Sequence, residues 1–563
     1  MRKIVAAEEM RELDRLTTER YAVPSLLLME AAANAAARAI LSRFKVRHRS
    51  LRALILCGRG NNGGDGAALA RVLWMAGVAQ IEVALFGRTE DAQGDARTNF
   101  EIVRQLAAAV HFSTDTPTTR LSFVECASEE SWEEVISRRV DYDIVIDALF
   151  GTGLTRPLGD IFKRVTAHLA RLRERRRSEG THPRPLIVSI DLPSGLNADL
   201  SHPFGPTVQA DLTVTFTAPK PANVLPPAAH LGGELVIADI GTPRHLLEES
   251  PTQFFLTEAE DASGWLSRTR YAPGSYKYTH GHALVIAGSR RFTGAAVLSG
   301  NAAMCAGAGL VTVAAPASAV SPIASRLMPE VMTAALPETG SGAASEEAVD
   351  EIIRLAERAQ VVAIGPGLSS AEEGPRRLVR ALVEQRTTPV VIDADGLNAL
   401  APWPAELSGS SQRPLILTPH EGEMLRLLGD EKGKENLAGD RVGTTRKFAV
   451  KHQLILVLKG ERTLIAAPDG RVFVNSTGNA GLGTAGSGDT LTGIITGFLA
   501  QAYGALKEQA DPLTATIAAV YVGGLAGDMA ADDKGMRSMT ASDIREYLPA
   551  AIRSLDPLGE MPG

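Results

Sequence analysis

Twelve short apolar runs rich in β-branched residues, spaced by helix-length segments, constrain this chain more than any other feature. Between residues 50 and 240 they are Ala53–Cys57, Ile81–Leu85, Ile144–Asp147, Leu186–Ile190, Leu212–Phe216 and Leu235–Ala238. Between 282 and 458 they are His282–Ala287, Leu310–Val313, Val361–Ile364, Val390–Asp393, Leu415–Leu417 and Leu454–Leu458. A continuous apolar run of this length is a strand buried on both faces, and such strands alternating with helices build largely parallel sheets. The predicted class is α/β. The pattern lapses through Gly241–Pro251, and 563 residues exceed what one core serves. Two domains are therefore expected, at 1–245 and 263–563, with a linker at 246–262. Ahead of the first sheet, Glu8–Phe44 has helical periodicity broken at Pro24.

The run from Thr477 to Gly493 carries the strongest chemical signal. It is a glycine-rich loop ending Gly486-Ser487-Gly488-Asp489, followed by an apolar helix expected over Thr490–Ala500. Glycines let successive backbone N–H groups converge, and a helix N-terminus adds partial positive charge. Together they form a seat for a phosphate or a developing oxyanion. Asp489, at that helix start, is placed to take a proton from a hydroxyl being phosphorylated.

The first half holds Gly58-Arg59-Gly60-Asn61-Asn62-Gly63 after a strand, which matches the dinucleotide pattern Gly-x-Gly-x-x-Gly. A redox site of that type needs an acidic residue at the end of the next strand. That strand ends Phe86-Gly87-Arg88, and Glu82 lies too early in it. Asn61-Asn62-Gly63-Gly64-Asp65-Gly66 is the more specific signal, because amides and a carboxylate beside glycines can bind phosphate and chelate a cation. Further loops leave strand ends at Asp147–Pro157, Asp191–Asp199 and Ala218–Pro221, where ligands of open α/β sheets bind. In the second half the corresponding loops are Gly365-Pro366-Gly367-Leu368, Asp393–Asn398, Thr418–Met424 and Lys459–Thr463. Singly, each has a structural alternative: a satisfied loop histidine for His420, a solvated strand end for Lys459. Five strand-end motifs in order favour a site.

The Gly-Ser-Gly-Asp loop resembles the anion hole of ribokinase-like kinases. Asn61–Gly66, Asp147–Gly153, Asp191–Gly195, Pro24–Glu30 and Thr217–Pro221 together resemble the epimerase domain of NAD(P)H-hydrate repair over residues 5–245. The second-half motifs resemble the ADP-dependent NAD(P)H-hydrate dehydratases over 263–550. The resemblance implies a Rossmann-like doubly wound sheet followed by a ribokinase-like α/β sandwich. It implies that the first domain interconverts the R and S hydrates and the second dehydrates the S form. In the epimerase it implies substrate contacts from Asn61, Asn62, Gly63, Gly64, Asp65, Gly151, Thr152, Gly153, Leu154, Thr155, Arg156, Pro157 and Asp191, the last also for acid/base work. Asn62, Asp147 and Ser194 would hold potassium. In the dehydratase it implies hydrate contacts from Ala295, Gly367, His420 and Asp489, with Asp489 catalytic. Lys459, Gly460, Glu461, Arg462, Thr463 and Gly488 would contact the nucleotide, with Mg²⁺ neutralising its phosphates. Two stretches depart from the family pattern, Tyr276–Gly281 and Ala287–Ala295, the latter with Arg290 and Arg291 where small or acidic residues are usual. His280 and His282, with no third ligand nearby, are expected to be structural.

Composition limits the alternatives. A net charge of −7 argues against a nucleic-acid-binding surface. The basic runs Arg43–Arg49 and Arg171–Arg177 are expected to be solvated helix ends and loops. Cys57, Cys126 and Cys305 have no paired spacing, which suits a reducing cytoplasm. No stretch reaches ~18 uninterrupted apolar residues, so no membrane partner is expected. Self-association into a homo-oligomer is expected by family analogy. Two other function classes stay open at this stage: a small-molecule kinase fused to a dinucleotide-binding domain, and a non-catalytic dinucleotide sensor.

Overall fold

The computed structural model describes residues 1–44, 50–111, 119–138, 140–179 and 185–556, without side chains at 110, 111, 175–179, 432 and 434. Residues 45–49 of the first basic run, and the side chains of 175–177 in the second, lie outside this description. The chain divides into two compact units, Lys3–Thr252 and Gln253–Gly563, with Met1–Arg2 belonging to the latter.

The first unit is built on seven strands: β1 (Arg52–Cys57), β2 (Gln80–Leu85), β3 (Arg120–Glu125), β4 (Ile144–Ala148), β5 (Leu186–Ile190), β6 (Leu212–Phe216) and β7 (Glu234–Ala238). All pair in parallel, in the order β3-β2-β1-β4-β5-β6-β7. This is a doubly wound sheet that reverses direction between β1 and β4. Its apolar runs are continuous because alternate residues enter separate cores. Ala53, Ile55, Ile81, Val83, Ile144 and Ile146 fill one, whereas Leu54, Leu56, Ala84, Val145 and Ile187 fill the other. Helices Ala7–Tyr21 and Ser25–Leu41 flank the break at Pro24.

The second unit holds β8 (Phe254–Leu256), β9 (His282–Ile286), β10 (Leu310–Pro316), β11 (Met332–Leu336), β12 (Val361–Ile364), β13 (Val390–Ile392), β14 (Leu415–Leu417), β15 (Ile455–Leu458), β16 (Leu464–Ala466) and β17 (Val472–Val474). They run in the order β8-β17-β16-β15-β14-β13-β12-β9-β10-β11, parallel except where β16 pairs antiparallel with β15 and β17. The short strand Arg2–Lys3 edges this sheet beyond β8. Ala283, Val285, Val311, Val313, Val361 and Val391 alternate onto one face. There they meet Ile494, Ile495 and Phe498 of helix Ser487–Gln501, and Ala515, Ala519 and Val522 of helix Pro512–Lys534. Helix Pro512–Lys534 is long and apolar enough to cross a membrane, but 78% of its most apolar window is buried within the protein. It is a core helix here.

Two expectations need correction. The 246–262 stretch, expected as a linker, contains the end of helix Arg244–Glu249, strand β8 and the start of helix Ala259–Arg268. Its elements are too short to show periodicity. The helix after the glycine-rich loop begins at Ser487, three residues before the expected start, because Gly486 at φ +85° provides the turn into it.

Candidate functional site

In each unit, the parallel sheet brings its strand-end loops to one edge, and each edge carries a cleft. The first cleft has a volume of about 570 Å³ and lies over the β1/β4 reversal. Its walls include Asn61, Asn62 and Asp65 from the start of helix Asn61–Met75 after β1, Gly151–Leu154 after β4, Asp191 after β5, and Lys220 after β6. The helix following β1 can start this close to the sheet only because Gly63 has no side chain. A Cβ there would lie 1.8 Å from the Gly58 carbonyl oxygen. Gly63 and Gly64, expected to touch ligand, are therefore packing residues behind the wall. Thr155, Arg156 and Pro157 are exposed and do not line the cleft.

Asp191 is the chemical centre of this cleft. Its Oδ1 accepts hydrogen bonds from Lys220 Nζ at 2.6 Å and Thr215 Oγ1 at 2.9 Å. Lys220 is 1% exposed and also donates to Thr215 Oγ1 at 2.9 Å. The loop is fixed by Asn223, whose Oδ1 accepts from the Lys220 N–H while its Nδ2 donates to the Asp191 carbonyl. Asp191 Oδ2 would lie 3.2 Å from a Cβ on Gly151, and Asn62 Oδ1 would lie 3.1 Å from it, so these groups converge on the glycine. Two further carboxyls share the cleft. Burial, then the charge of Asp191, holds the Asp65 carboxyl well above the usual range. Burial pushes Asp14 up to about 6, against the opposing pull of Lys220.

Asp147 and Ser194 are brought together directly. Both Asp147 oxygens accept from Ser194, through Oγ at 2.5 Å and N–H at 2.8 Å, and Ser189 Oγ adds a third bond at 2.9 Å. Asp147 is fully buried, and burial outweighs these bonds to raise its pKa. All its hydrogen-bond partners are neutral. A monovalent cation would supply the missing countercharge, bound through oxygens such as the Asp147 carboxylate, Ser194 Oγ and Asn62 Oδ1. The three expected cation ligands thus suit a singly charged ion.

The second cleft, of about 380 Å³, is lined by Arg291–Ala295 after β9, Gly367 after β12, Asp395 after β13, and Asp489. Three of the expected hydrate contacts, Ala295, Gly367 and Asp489, therefore meet. Asp489 lies in the first turn of helix Ser487–Gln501, whose N-cap Gly486 offers no side chain to the free N–H groups. Burial, then the neighbouring Asp393, pushes its carboxyl up to about 6, with Lys459 opposing. Lys459 Nζ binds Asp393 Oδ1 at 2.6 Å, and Thr492 Oγ1 holds Asp393 Oδ2 at 2.7 Å. A Cβ on Gly488 would be only 3.1 Å from that ammonium. Glycine here lets Lys459 face the helix N-terminus, which concentrates positive charge for an anion.

Among the expected nucleotide contacts, Gly460–Thr463 form a turn after β15. Arg441 Nη1 donates to the Glu461 carbonyl, Arg462 Nη1 to the Ser476 carbonyl, and Thr463 Oγ1 to the Gly460 carbonyl. His420 does not line the cleft. It caps helix Glu421–Leu428, its Nδ1 accepting from the Glu423 N–H, and its side chain is 55% exposed. His282 bonds Thr312 and the Arg358 carbonyl, as a structural histidine should. His280 is buried against Tyr271, with no partner for either ring nitrogen among the described residues. Glu82 accepts from Arg138 and Tyr142, which ties it into the fold, away from any ribose role.

Sequence reasoning missed Lys220, Asp393 and Asp14. The first two stood inside recognised strand-end motifs, but their ion pairs join loops 29 and 66 residues apart. Asp14 sits in an ordinary amphipathic helix and carried no signal.

Residues 283–550 match the family described as NAD(P)H-hydrate dehydratase, and residues 25–222 match the YjeF-related protein N-terminus. The Bifunctional NAD(P)H-hydrate repair enzyme Nnr of Moorella thermoacetica is 40% identical over 98% of this chain and 97% of its own. That of Thermofilum pendens is 37% identical over 98% and 97%. Among solved structures, the ADP/ATP-dependent NAD(P)H-hydrate dehydratase from Bacillus subtilis, co-crystallised with ATP/Mg²⁺, is 29% identical, with a TM-score of 0.45. It spans 54% of this chain and 99% of its own. With full-length relatives on this scale and both constituent families matched in order, the chain belongs to the bifunctional NAD(P)H-hydrate repair enzymes.

Proposed function

We propose that this chain restores hydrated nicotinamide cofactors through two sites, epimerising the C6 hydroxyl in the first cleft and eliminating it with ADP in the second. One observation carries the reading: each unit of a chain with full-length repair-enzyme relatives holds a strand-end cleft and, at the same sheet edge, an Asp–Lys pair whose aspartate is buried. These pairs are Asp191–Lys220 and Asp393–Lys459. Epimerisation serves the second site, because elimination acts on one epimer and the other must be converted to reach it.

In the second cleft, Asp489 takes the proton of the C6 hydroxyl as that oxygen attacks the terminal phosphoryl group of ADP. The first-turn N–H groups and Lys459 hold the transferring charge, and AMP departs. Phosphate then leaves C6 as C5 loses a proton, which forms the C5–C6 double bond. The balance is hydrate plus ADP to reduced cofactor, AMP and inorganic phosphate. Hydroxide is a poor leaving group and phosphate a good one, so a kinase-like site suits an elimination. Gly460–Thr463 would contact the nucleotide. Mg²⁺ would arrive on its phosphates, since no group of three acidic, histidine or cysteine ligands is assembled among the described residues. In the first cleft, Asp191 exchanges a proton near C6. Potassium at Asn62, Asp147 and Ser194 would fix the loops after β4 and β5. The epimerase is assigned to the first unit, Lys3–Thr252, and the dehydratase to the second, from Gln253 onward. Three free cysteines fit a cytoplasmic setting.

The test is to incubate the full-length protein with mixed NADHX epimers and follow absorbance near the reduced-nicotinamide maximum. With ADP, both epimers should be consumed; without it, they should interconvert with no NADH formed. Phosphoryl transfer to an added alcohol, with no hydrate turnover, would identify a small-molecule kinase instead.

A further inference from the structure

Asp14 stands outside every role assigned so far, and outside the 25–222 segment that matches the N-terminal family. It projects from helix Ala7–Tyr21 into the first cleft, with Met10 and Arg11 on the same wall. Its Oδ1 is buried and has no hydrogen-bond partner among the described residues. A carboxyl oxygen left this way costs free energy unless a ligand completes it. Nor does Asp14 form an ion pair among the described residues, although it is electrostatically coupled to Lys220 and Asp191. Of the carboxyls lining the cleft, Asp191 is committed to a lysine, Asp95 accepts from Ser25, burial holds Asp65 well above the usual range, and Asp14 alone has a buried oxygen without a partner among the described residues.

Inverting a hydroxyl-bearing carbon without net chemistry needs this asymmetry. The C6 carbon carries its hydroxyl next to the ring nitrogen, whose lone pair can expel the oxygen once that oxygen is protonated. Water must then return to the other face and lose a proton there. A single group on one face cannot do both.

We propose that Asp14 is a second proton-transfer residue of the epimerase, serving the ring face opposite that served by Asp191. In one direction Asp14 donates its proton to the C6 oxygen, the C–O bond breaks, water leaves, and the nitrogen lone pair forms a C6–N double bond. Water then adds to the opposite face, forming the new C–O bond, and its proton passes to Asp191. The bound cofactor gains and loses one water, one proton has moved from Asp14 to Asp191, and exchange with solvent resets both. The reverse direction exchanges the roles. Burial suits Asp14 to the task, because a carboxyl near 6 is protonated in a useful fraction near neutrality. The charged groups around it in the cleft are Arg11 on its own helix, Arg59, Asp65, Asp95, Asp191 and Lys220.

This inference rests on the epimerase reading above, and the experiment separates the two. Epimer exchange in NADHX is measured by chromatography with full-length protein and no ADP, for wild type, Asp14→Asn and Asp14→Glu. Asp14→Asn should lower kcat for exchange by about 100-fold, with KM within about twofold and ADP-dependent dehydration of the S epimer unchanged. The wild-type exchange rate should fall as pH rises through about 6, because the state carrying the transferable proton is lost. The residual rate of Asp14→Asn should lack that limb, and Asp14→Glu should restore part of the rate together with the limb. Asp14→Asn exchanging within threefold of wild type, or retaining the alkaline limb, would overturn the assignment, as would failure of Asp14→Glu to recover any rate. A wild-type protein that does not interconvert the epimers overturns the epimerase reading itself.

Discussion

Asp489 is held near neutrality by burial and by a second carboxylate, and this has two consequences of opposite sign. As a base it must be ionised, so the dehydration rate should rise with pH through about 6 and then level off. For stability, a carboxyl whose folded pKa is raised favours the fold below its unfolded value near 3.8, and this contribution is lost as pH climbs through 6. Asp489→Asn should therefore abolish dehydration yet stabilise the second unit at pH 7.5 by about 2 kcal/mol. That gain should vanish below pH ~4. Thermal melts across this range, read beside the activity, check both signs, and a variant that is inactive and destabilised at pH 7.5 would contradict the account. Single residues were legible in the sequence where a motif fixed their backbone. Asp489 and Asp191 follow a glycine turn and a strand end, positions set by local chain geometry. Lys220 and Asp393 needed the pairing of distant loops. His420 stood in a recognised motif, yet its imidazole is turned onto its own helix as a cap.

At the scale of elements, the glycines behind the first cleft set how closely helix Asn61–Met75 approaches the sheet. Gly63→Ala would drive a methyl group into the Gly58 carbonyl, a backbone atom that cannot yield, and should destabilise the first unit by about 3 kcal/mol. Gly60→Ala is the control. It stands one turn away with nothing within 4 Å of its would-be Cβ, and should change stability by less than about 0.5 kcal/mol. Urea melts followed through the first unit distinguish them, and equal effects would show that the helix can retreat without cost. Burial also decided which strands could be read in advance. All twelve expected runs are strands; eleven hold inner positions that force apolar residues on both faces, and β7 is an edge strand whose Leu235–Ala238 run is apolar nonetheless. β3 and β11 escaped notice because each is an edge strand with exposed or half-exposed positions, as in Arg120-Leu-Ser-Phe-Val-Glu125. β8, β16 and β17, of three residues each, also escaped notice, although β13 and β14 of the same length were read.

For the molecule as a whole, each of the two clefts assigned to the chemistry is assembled entirely from its own unit. No residue lining the first cleft comes from beyond Thr252, and none lining the second comes from before Gln253. Each sheet also has its own cores, with the continuous apolar strands that a separate domain needs. The chemistry links the sites through a diffusing product, which requires no shared wall. Cleaving the chain between Thr252 and Gln253 should therefore yield two fragments that fold and act separately. Residues 1–252 should interconvert the hydrate epimers without nucleotide, and residues 253–563 should consume only the S epimer when ADP is present. The second fragment gives up Met1–Arg2, part of an edge strand of two residues, so a modest fall in its melting temperature is expected with little loss of rate. Mixing the fragments should restore consumption of both epimers. Aggregation of both fragments under conditions where the whole chain is active would show that the two cores depend on each other. Separate activity from each would show that their fusion serves the order of the reactions.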